Sequence, residues 1–369
     1  MLIQNAKAFI DGKFQEKTDL LIRDGRISAI GTGLAAEGEE LLDLGGDLLL
    51  PGFVDVHIHA FKGMDTMQGE EAVRHMSREL KKVAAFLPTT MSASPEDTVR
   101  ALAGVKAVME RPEPDGAIVL GAHMEAPFLA EAKAGAQLKQ YFVDPDEENW
   151  QRYTGGLESV VRLITMAPER AGALAFISAL TKKGITVSIG HTTADAETTH
   201  AAAEAGATHV THTFNAQTPL NHRAPGVPGA ALVDDRLQCE VISDGIHLHP
   251  DIVKLIIRTK GKEKLVAITD AMEAAGMPDG QYQLGGQEVF VHEGAARLKD
   301  GTLAGSTLTM IRAFQNLIRF GATPEEAALM TTKTPALSIG NEELGEIELG
   351  APAIFSRFDE NYAFKGTVG

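Results

Sequence analysis

The sequence predicts an α/β protein, a (β/α)8 TIM-like barrel with a small β-sandwich domain formed by the N- and C-terminal segments. Two observations predict the barrel. Apolar, strand-like runs alternate with alanine-rich helical stretches through most of the chain, and repeated strand–helix–strand units build a parallel sheet. The span from residue 52 to about residue 340 is slightly longer than the ~250 residues typical of an eight-fold barrel.

Short β patterns flank this span on both sides. The pairs Asp11-Gly12 and Asp24-Gly25 each separate two strand-like runs, which is typical of β-hairpins. Residues 344–349 and those that follow return to β patterning. We therefore predict that residues 1–51 with 345–369 form the small domain, and that residues 52–344 form the barrel.

Inside the barrel, several segments are strong candidates for strands and helices. Apolar runs predict strands at residues 117–122, 185–189 and 265–269. Alanine-rich runs predict helices at residues 195–205 and 324–330.

The composition limits the classes of function. Of 369 residues, 44% are hydrophobic and 23% are charged, as in ordinary globular proteins. The net charge of -16 argues against nucleic acid or an anionic membrane surface as the partner, although one or two local cations still suffice to bind a phosphate. Cys239 is the single cysteine, which fits a reducing compartment. No signal peptide or membrane-spanning apolar run is recognised, so a cytoplasmic location is expected.

A His-x-His pair ends the first predicted barrel strand. His57 and His59 are two residues apart after the apolar run that begins at Leu49. On a strand, residues i and i+2 point to the same face, so both imidazoles aim into one place. Neutral imidazole is a common metal ligand, but an isolated pair of this kind is also found as hydrogen-bonded polar residues at a sheet end.

Further polar residues share the same placement, directly after an apolar strand. In a β/α barrel the carboxyl ends of the strands meet at one face, where active sites form. Residues far apart in the sequence are therefore expected in one pocket: Glu125, His191, His212, His247 and Asp270.

These residues lie in motifs that resemble the amidohydrolase superfamily of metal-dependent hydrolases and, within it, the N-acetylglucosamine-6-phosphate deacetylases. The motifs follow one another in the order of that family and span essentially the whole chain: Pro51-Gly52-Phe53-Val54-Asp55-Val56-His57-Ile58-His59, His123-Met124-Glu125-Ala126-Pro127-Phe128, Lys133-Ala134-Gly135-Ala136, Gly190-His191-Thr192, His212-Thr213-Phe214-Asn215-Ala216, Arg223-Ala224-Pro225-Gly226, Asp244-Gly245-Ile246-His247 and Thr269-Asp270-Ala271-Met272. Met124, Ala126 and Ala224 depart from the usual family pattern, and none of them is an expected metal ligand.

The resemblance implies one or two divalent metal ions, zinc, iron, manganese or cobalt, in each subunit. Glu125, His191 and His212 would hold the first ion and leave a position open for water, as a catalytic site requires. His57, His59 and Asp270 would hold a second ion, with Glu125 bridging. A bound metal lowers the pKa of its water towards ~7.

The resemblance also implies roles in catalysis and substrate binding. Asp270 is the expected general base and acid, and His247 is expected to contact the acetyl carbonyl. The predicted substrate-binding residues are His123, Ala134, Asn215, Ala216, Arg223 and His247. The predicted partner is a phosphorylated amino sugar, and in a homodimer Arg223 would complete the active site of the neighbouring subunit.

Three alternatives compete with this prediction. Deacetylation of the N-acetylgalactosamine 6-phosphate analogue would use the same chemistry. A cyclic-amide hydrolase of the dihydroorotase or hydantoinase type would need a bridging lysine, but Glu125 takes that place. An inactive barrel would be expected to lack at least one of the predicted metal ligands, and all of them are present.

Overall fold

The computed structural model describes residues 1–35 and 38–369. Its strands alternate with helices from residue 53 to residue 268. The strands of the described residues are β1 (Leu2–Ile10), β2 (Lys13–Arg23), β3 (Arg26–Gly31), β4 (Leu41–Asp43), β5 (Leu48–Pro51), β6 (Phe53–Ile58), β7 (Ala60–Phe61), β8 (Met64–Asp65), β9 (Val83–Thr90), β10 (Ile118–Val119), β11 (Ala122–Met124), β12 (Val161–Met166), β13 (Thr186–Ile189), β14 (His209–Val210), β15 (Gln238–Ile242), β16 (Leu265–Ile268), β17 (Gly280–Leu284), β18 (Gln287–His292), β19 (Ala295–Arg297), β20 (Phe355–Phe358) and β21 (Phe364–Val368).

The α-helices follow the barrel strands as the sequence predicts. Ser, Thr or Asp side chains cap the N-termini of five of them, among them Asp195 and Thr323, which precede the two predicted helices. In the described residues the helices are α1 (Glu70–Glu79), α2 (Pro95–Glu110), α3 (Glu147–Thr154), α4 (Ala173–Lys182), α5 (Ala196–Ala205), α6 (Gly226–Val233), α7 (Pro250–Lys260), α8 (Met310–Arg319), α9 (Pro324–Thr331) and α10 (Lys333–Ser338).

The parallel barrel predicted from the sequence is confirmed. Its strands run in the order β6, β9, β11, β12, β13, β14, β15 and β16, each parallel to the next. A parallel bridge between Ile58 and Ala271 closes the ring between its first and last strands. The predicted strand 117–122 is divided into β10 and β11, because the backbone bends at Gly121.

Hydrogen-bonded polar side chains cross the inside of the barrel below its carboxyl end. Thr165 Oγ1 lies 2.9 Å from His123 Nε2 and 2.9 Å from Thr211 Oγ1, and Ser188 Oγ lies 2.5 Å from that same Thr211 oxygen. Thr165 and Thr211 belong to strand ends that are not neighbours, so these bonds span the interior. This network holds the polar side chains below the carboxyl end of the barrel in fixed positions.

The two ends of the chain form the predicted small β unit. Both hairpins appear, with β1 against β2 and β2 against β3, and β20 of the tail pairs antiparallel with β5. The prediction of β structure at residues 344–349 is wrong, since the tail has no strand before Phe355 in the described residues. These six residues make no sheet hydrogen bonds, but the side chain of Ile347 packs in the core of the β unit. The domain boundaries at 51/52 and 344/345 stay a prediction.

An antiparallel three-stranded sheet, β17 to β19, is inserted between the last barrel strand and α8. The sequence analysis did not predict this insert, which packs its inner face on a cluster that includes Met91, Met272 and Leu284. None of the helices in the described residues has the length and apolarity needed to cross a membrane.

Candidate active site

The polar residues predicted at strand ends lie at the carboxyl end of the barrel. His57 is the second-last residue of β6, and Glu125 directly follows β11. His191, His212 and Asp270 each come two residues after the end of their strand. Because all barrel strands are parallel, these positions converge at one end of the molecule.

The backbone at these positions turns sharply so that the side chains point inwards. His191, His212 and Asp270 have φ angles of 46°, 28° and 49°, in the left-handed region that non-glycine residues rarely adopt. Gly190, next to His191, permits the close approach of its strand to the next, since a Cβ there would lie 2.6 Å from the Cβ of Thr211. Backbone strain of this kind is typical of functional sites.

Glu125, His191 and His212 form one compact donor group. Glu125 Oε1 lies 3.1 Å from His191 Nε2 and 3.0 Å from His212 Nε2, and the two nitrogens are 3.1 Å apart. All three side chains are buried. One carboxylate and two imidazoles at this spacing match the ligand set of a catalytic metal site.

His57, His59 and Asp270 form a second buried donor group beside the first. Asp270 Oδ1 lies 3.1 Å from His59 Nε2 and 3.5 Å from His57 Nε2. The other oxygen of Glu125, Oε2, lies 3.2 Å from His59 Nε2. Oε1 also lies 3.5 Å from His57 Nε2, so the Glu125 carboxylate faces both groups, as the bridging role requires.

The hydrogen bonds on the far side of the imidazoles show that these groups fit a cation. His191 Nδ1 is 2.7 Å from the carbonyl of Lys133, and His59 Nδ1 is 3.3 Å from the carbonyl of Thr89. Carbonyl oxygens only accept, so both Nδ1 atoms carry a proton, and each Nε2 atom faces Glu125 and a neighbouring imidazole, His212 for His191 and His57 for His59. Lone pairs packed in this way need a positive charge between them, and a divalent cation supplies it.

The electrostatics of the donor groups lead to the same conclusion. Burial opposes charge on His59 and His212, but hydrogen bonds and charges from neighbouring carboxylates raise the pKa of His59 well above 6.5 and that of His212 to about 9. Burial would likewise raise the pKa of Glu125 and Asp270, yet the surrounding imidazoles hold both below their usual values. The carboxylates thus stay ionised, and the site demands cations.

A cavity of about 320 Å³ opens over the two donor groups. Of the predicted substrate-binding residues, Asn215, Ala216 and His247 line it. Ala134 is buried in the same loop as the lining residues Lys133 and Gly135. Arg223 does not line this cavity and is exposed on the loop before α6.

His123 lies outside the lining of the cavity. It is fully buried and stacks edge-on against the ring of His57, with ring centroids 4.5 Å apart. Burial lowers the pKa of His123 well below 6.5, with the charge of His57 adding to the effect, so it is neutral. The geometry therefore favours a supporting role behind His57 and does not support direct contact with substrate.

His247 is held in the cavity wall by an aspartate that the sequence analysis did not single out. Asp244 Oδ2 lies 2.6 Å from His247 Nδ1, and its other oxygen accepts from the backbone nitrogens of Ile246 and His247. Burial favours the neutral form of Asp244, but the bond to His247 outweighs it and lowers the pKa of Asp244. The carboxylate fixes the proton on Nδ1 and turns Nε2 towards the cavity.

Sequence reasoning also missed two residues that touch the donor groups. The Gln137 amide nitrogen donates to Glu125 Oε2 at 2.5 Å, and its oxygen accepts from the backbone of Ser92. Glu240 Oε2 lies 3.1 Å from His57 Nδ1. Gln137 is in a loop without strand patterning, so the sequence offers no signal for its role. Glu240 interrupts the apolar strand β15, and an acid within such a strand is a sequence signal for a functional residue.

Comparison with known proteins supports these features. Residues 48–366 match the profile of the amidohydrolase family. The chain is 36% identical to N-acetylglucosamine-6-phosphate deacetylase of Lysinibacillus sphaericus, over 100% of this chain and 96% of that protein. It is 37% identical to N-acetylgalactosamine-6-phosphate deacetylase of Escherichia coli O157:H7, over 90% and 88% of the two chains.

A solved structure shares the whole fold. It is that of a variant of N-acetyl-D-glucosamine-6-phosphate deacetylase from Mycobacterium smegmatis in complex with N-acetyl-D-glucosamine-6-phosphate. The TM-score is 0.91 at 32% identity, and the match covers 100% of this chain and 97% of that one. The terminal β unit and the insert are therefore part of the shared architecture.

Proposed function

Because the chain belongs to the amidohydrolase family, we propose that it is a metal-dependent deacetylase that hydrolyses N-acetyl-D-glucosamine 6-phosphate to D-glucosamine 6-phosphate and acetate in amino-sugar catabolism. One observation carries the proposal. The two buried donor groups share Glu125 and lie directly beneath a cavity into which Asp270 and His247 both project. This combination supplies ligands, a proton acceptor and a carbonyl-binding group within one pocket.

The cofactor of this reaction is a divalent metal ion. Glu125, His191 and His212 would hold one ion, and His57, His59 and Asp270 would hold a second, since each set offers three buried donor atoms within 4.8 Å of one another. When bound, the metal supplies Lewis acidity, which polarises the amide carbonyl and makes water a stronger nucleophile. Imidazole and carboxylate donors accept zinc, iron, manganese or cobalt.

Asp270 is placed to move the proton that the reaction requires. Its lowered pKa keeps the carboxylate ionised at neutral pH, so it takes a proton from the attacking water and passes it to the departing amine. Amines are poor leaving groups, so this transfer to the amide nitrogen is essential. His247, fixed through Asp244, presents Nε2 to the acetyl oxygen, where negative charge develops.

The remaining substrate contacts involve the sugar phosphate. Asn215 and Ala216 line the cavity next to the donor groups and would offer hydrogen-bond donors to the substrate. Arg223, exposed and outside the cavity of its own chain, is free to reach a second copy. Its position supports the proposal that the protein is a homodimer in which Arg223 binds the phosphate in the neighbouring site. The cytoplasmic location stays a prediction.

Acetate release from purified, metal-loaded protein tests the proposed function. We expect release from N-acetylglucosamine 6-phosphate, and we expect Asp270→Asn to lower kcat by at least ~10²-fold, the contribution of a positioned general base. The ion held by Glu125, His191 and His212 should stay bound in the variant, because those three ligands remain, whereas the second position, of which Asp270 is a ligand, should bind its ion more weakly. Asp115→Asn, at an exposed loop position at the opposite end of the barrel, is the matched control and should behave as wild type.

A parallel assay with N-acetylgalactosamine 6-phosphate decides between the two sugars. The galactosamine enzyme is a relative at 37% identity, so this alternative has direct support. A metal-loaded protein that releases acetate from neither sugar phosphate would overturn the substrate proposal. Wild-type turnover by Asp270→Asn would overturn the role of Asp270.

A further inference from the structure

Glu240 is a fully buried acid on β15, inside the barrel and below the cavity. It does not line the cavity and therefore does not reach substrate. A single oxygen, Oε2, makes its contacts, 3.1 Å to His57 Nδ1 and 3.4 Å to the backbone nitrogen of His212. Its other oxygen has no hydrogen-bond partner. A buried carboxylate so poorly satisfied is costly, which calls for an explanation.

His57 differs from the other donor imidazoles in the group behind it. The Nδ1 atoms of His59 and His191 face neutral backbone carbonyls, whereas Nδ1 of His57 faces the carboxylate of Glu240. A carboxylate behind a ligand imidazole fixes the tautomer, orients the ring and raises the basicity of the nitrogen that faces the metal. Glu240 therefore strengthens Nε2 of His57 as a donor.

The ion-pair partner of Glu240 in the described residues is the imidazole of His57, and no lysine or arginine there pairs with it. His209 also lies near Glu240, but burial lowers the pKa of His209 to about 4, so that residue is neutral. Glu240 is the third buried carboxylate, after Glu125 and Asp270, that lies against the donor imidazoles. One divalent cation leaves such a group negative, and a second compensates it.

We propose that Glu240 is a positioning residue that, through His57, favours occupation of the second cation position, formed by His57, His59 and Asp270. This inference rests on the metal-dependent function proposed above. It assigns Glu240 no contact with substrate and no part in proton transfer.

Titration of metal-free protein with Co²⁺, followed by calorimetry and by visible absorption, tests the proposal. Wild type should take up two equivalents. In Glu240→Gln, which keeps the shape but removes the charge, the second equivalent should bind about 10–100-fold more weakly, the usual effect of losing a partner behind a ligand. The first equivalent should change less than about threefold, since Glu125, His191 and His212 remain.

Two further variants separate positioning from general damage. In a His57→Gln background, Glu240→Gln should have no additional effect on the second equivalent, because the two act as one unit. Asp19→Asn is the matched control: it removes a buried carboxylate from the terminal β unit, where Asp19 accepts from the backbone of Asn5 and Leu34, and it should leave Co²⁺ binding unchanged. If Glu240→Gln fails to fold, Glu240→Asp keeps the charge but shortens the reach to His57 and should show the same loss.

Three results would overturn the proposal: a single equivalent in wild type, unchanged binding of the second equivalent in the variants, or equal weakening of both equivalents. The titration contains no substrate, so its outcome is independent of the deacetylase assay. A protein that binds two cations but releases no acetate would refute the proposed substrate and leave the role of Glu240 standing.

Discussion

At the scale of single residues, the Asp244–His247 pair explains how a histidine on a loop is held accurately enough for catalysis. The hydrogen bond of 2.6 Å between Asp244 Oδ2 and His247 Nδ1 is charge-assisted, and both side chains are mostly buried. The backbone of the same loop also donates to Asp244. The loop thus folds around its own carboxylate and needs no neighbouring element to orient the imidazole.

Replacing this carboxylate should reduce turnover more than binding. In Asp244→Asn the proton on His247 Nδ1 is no longer fixed, so stabilisation of the developing oxyanion weakens. We expect kcat to fall by up to about 10²-fold with a much smaller change in KM. Steady-state kinetics on the sugar phosphate measures the split.

The chain offers a closely matched control for this experiment. His249 Nδ1 lies 3.4 Å from Asp251 Oδ2, but those side chains are 71% and 85% exposed. Asp251→Asn should therefore leave kcat and KM unchanged. A rise in KM by the same factor as the fall in kcat for Asp244→Asn would contradict the positioning of His247 by Asp244. A fall in kcat of similar size for Asp251→Asn would contradict it too.

Sequence reasoning found the residues whose spacing follows the strands and missed those whose role depends on packing. His57, His59 and Asp270 follow apolar runs, so their convergence could be inferred from the parallel topology alone. Gln137 comes from a loop that approaches Glu125 only in three dimensions. His123 shares the motif of Glu125, but only the packing shows that its ring lies against His57 and outside the lining of the cavity.

At the scale of secondary-structure elements, the β17–β19 insert closes one side of the active site. Leu284 of β17 and Leu303, which follows β19, line the cavity. The Gln287 amide donates at 2.5 Å to the carbonyl of Ala136, in the loop that carries Gln137. This insert was not predicted because its exposed strands alternate polar and apolar residues between glycine turns, unlike the apolar barrel strands on which the fold prediction depends.

The bond between the insert and the Ala136 loop should contribute to substrate binding. Gln287→Ala removes one hydrogen bond, worth about 0.5–1.5 kcal/mol, and frees the loop to move away from the cavity. We expect KM to rise by up to about tenfold with kcat nearly unchanged. Kinetics with the sugar phosphate provides the measurement.

Gln281→Ala is the control within the same sheet. Its amide donates to Glu288 on the exposed face of the insert and does not reach the loop, so its KM should equal that of wild type. An unchanged KM in Gln287→Ala would show that the insert covers the site without helping to hold substrate.

At the scale of the whole molecule, an aromatic cluster joins the terminal β unit to the barrel. Phe358 of β20 lies 6.1 Å from Phe53 of β6 and 5.0 Å from Phe314 of α8, measured between ring centroids. Phe355, three residues earlier, points to the other face and packs in the separate core of the β unit. The same strand thus contributes to two cores, and β6 carries this contact four residues before His57.

This shared strand should make the protein unfold as one unit. Phe358→Ala removes a fully buried ring at the junction and should lower the free energy of unfolding by about 3–5 kcal/mol, while Phe290→Ala, at a ring that is 42% exposed on the insert, should change it by less than ~0.5 kcal/mol. Scanning calorimetry should show a single transition for wild type and for both variants, shifted to lower temperature only in Phe358→Ala.

Two separate transitions would mean that the β unit folds independently of the barrel. The tail would then make no contribution to the alignment of the first barrel strand. A single transition with a large shift would instead show that the end of the chain helps to hold the strand from which His57 and His59 reach the active site.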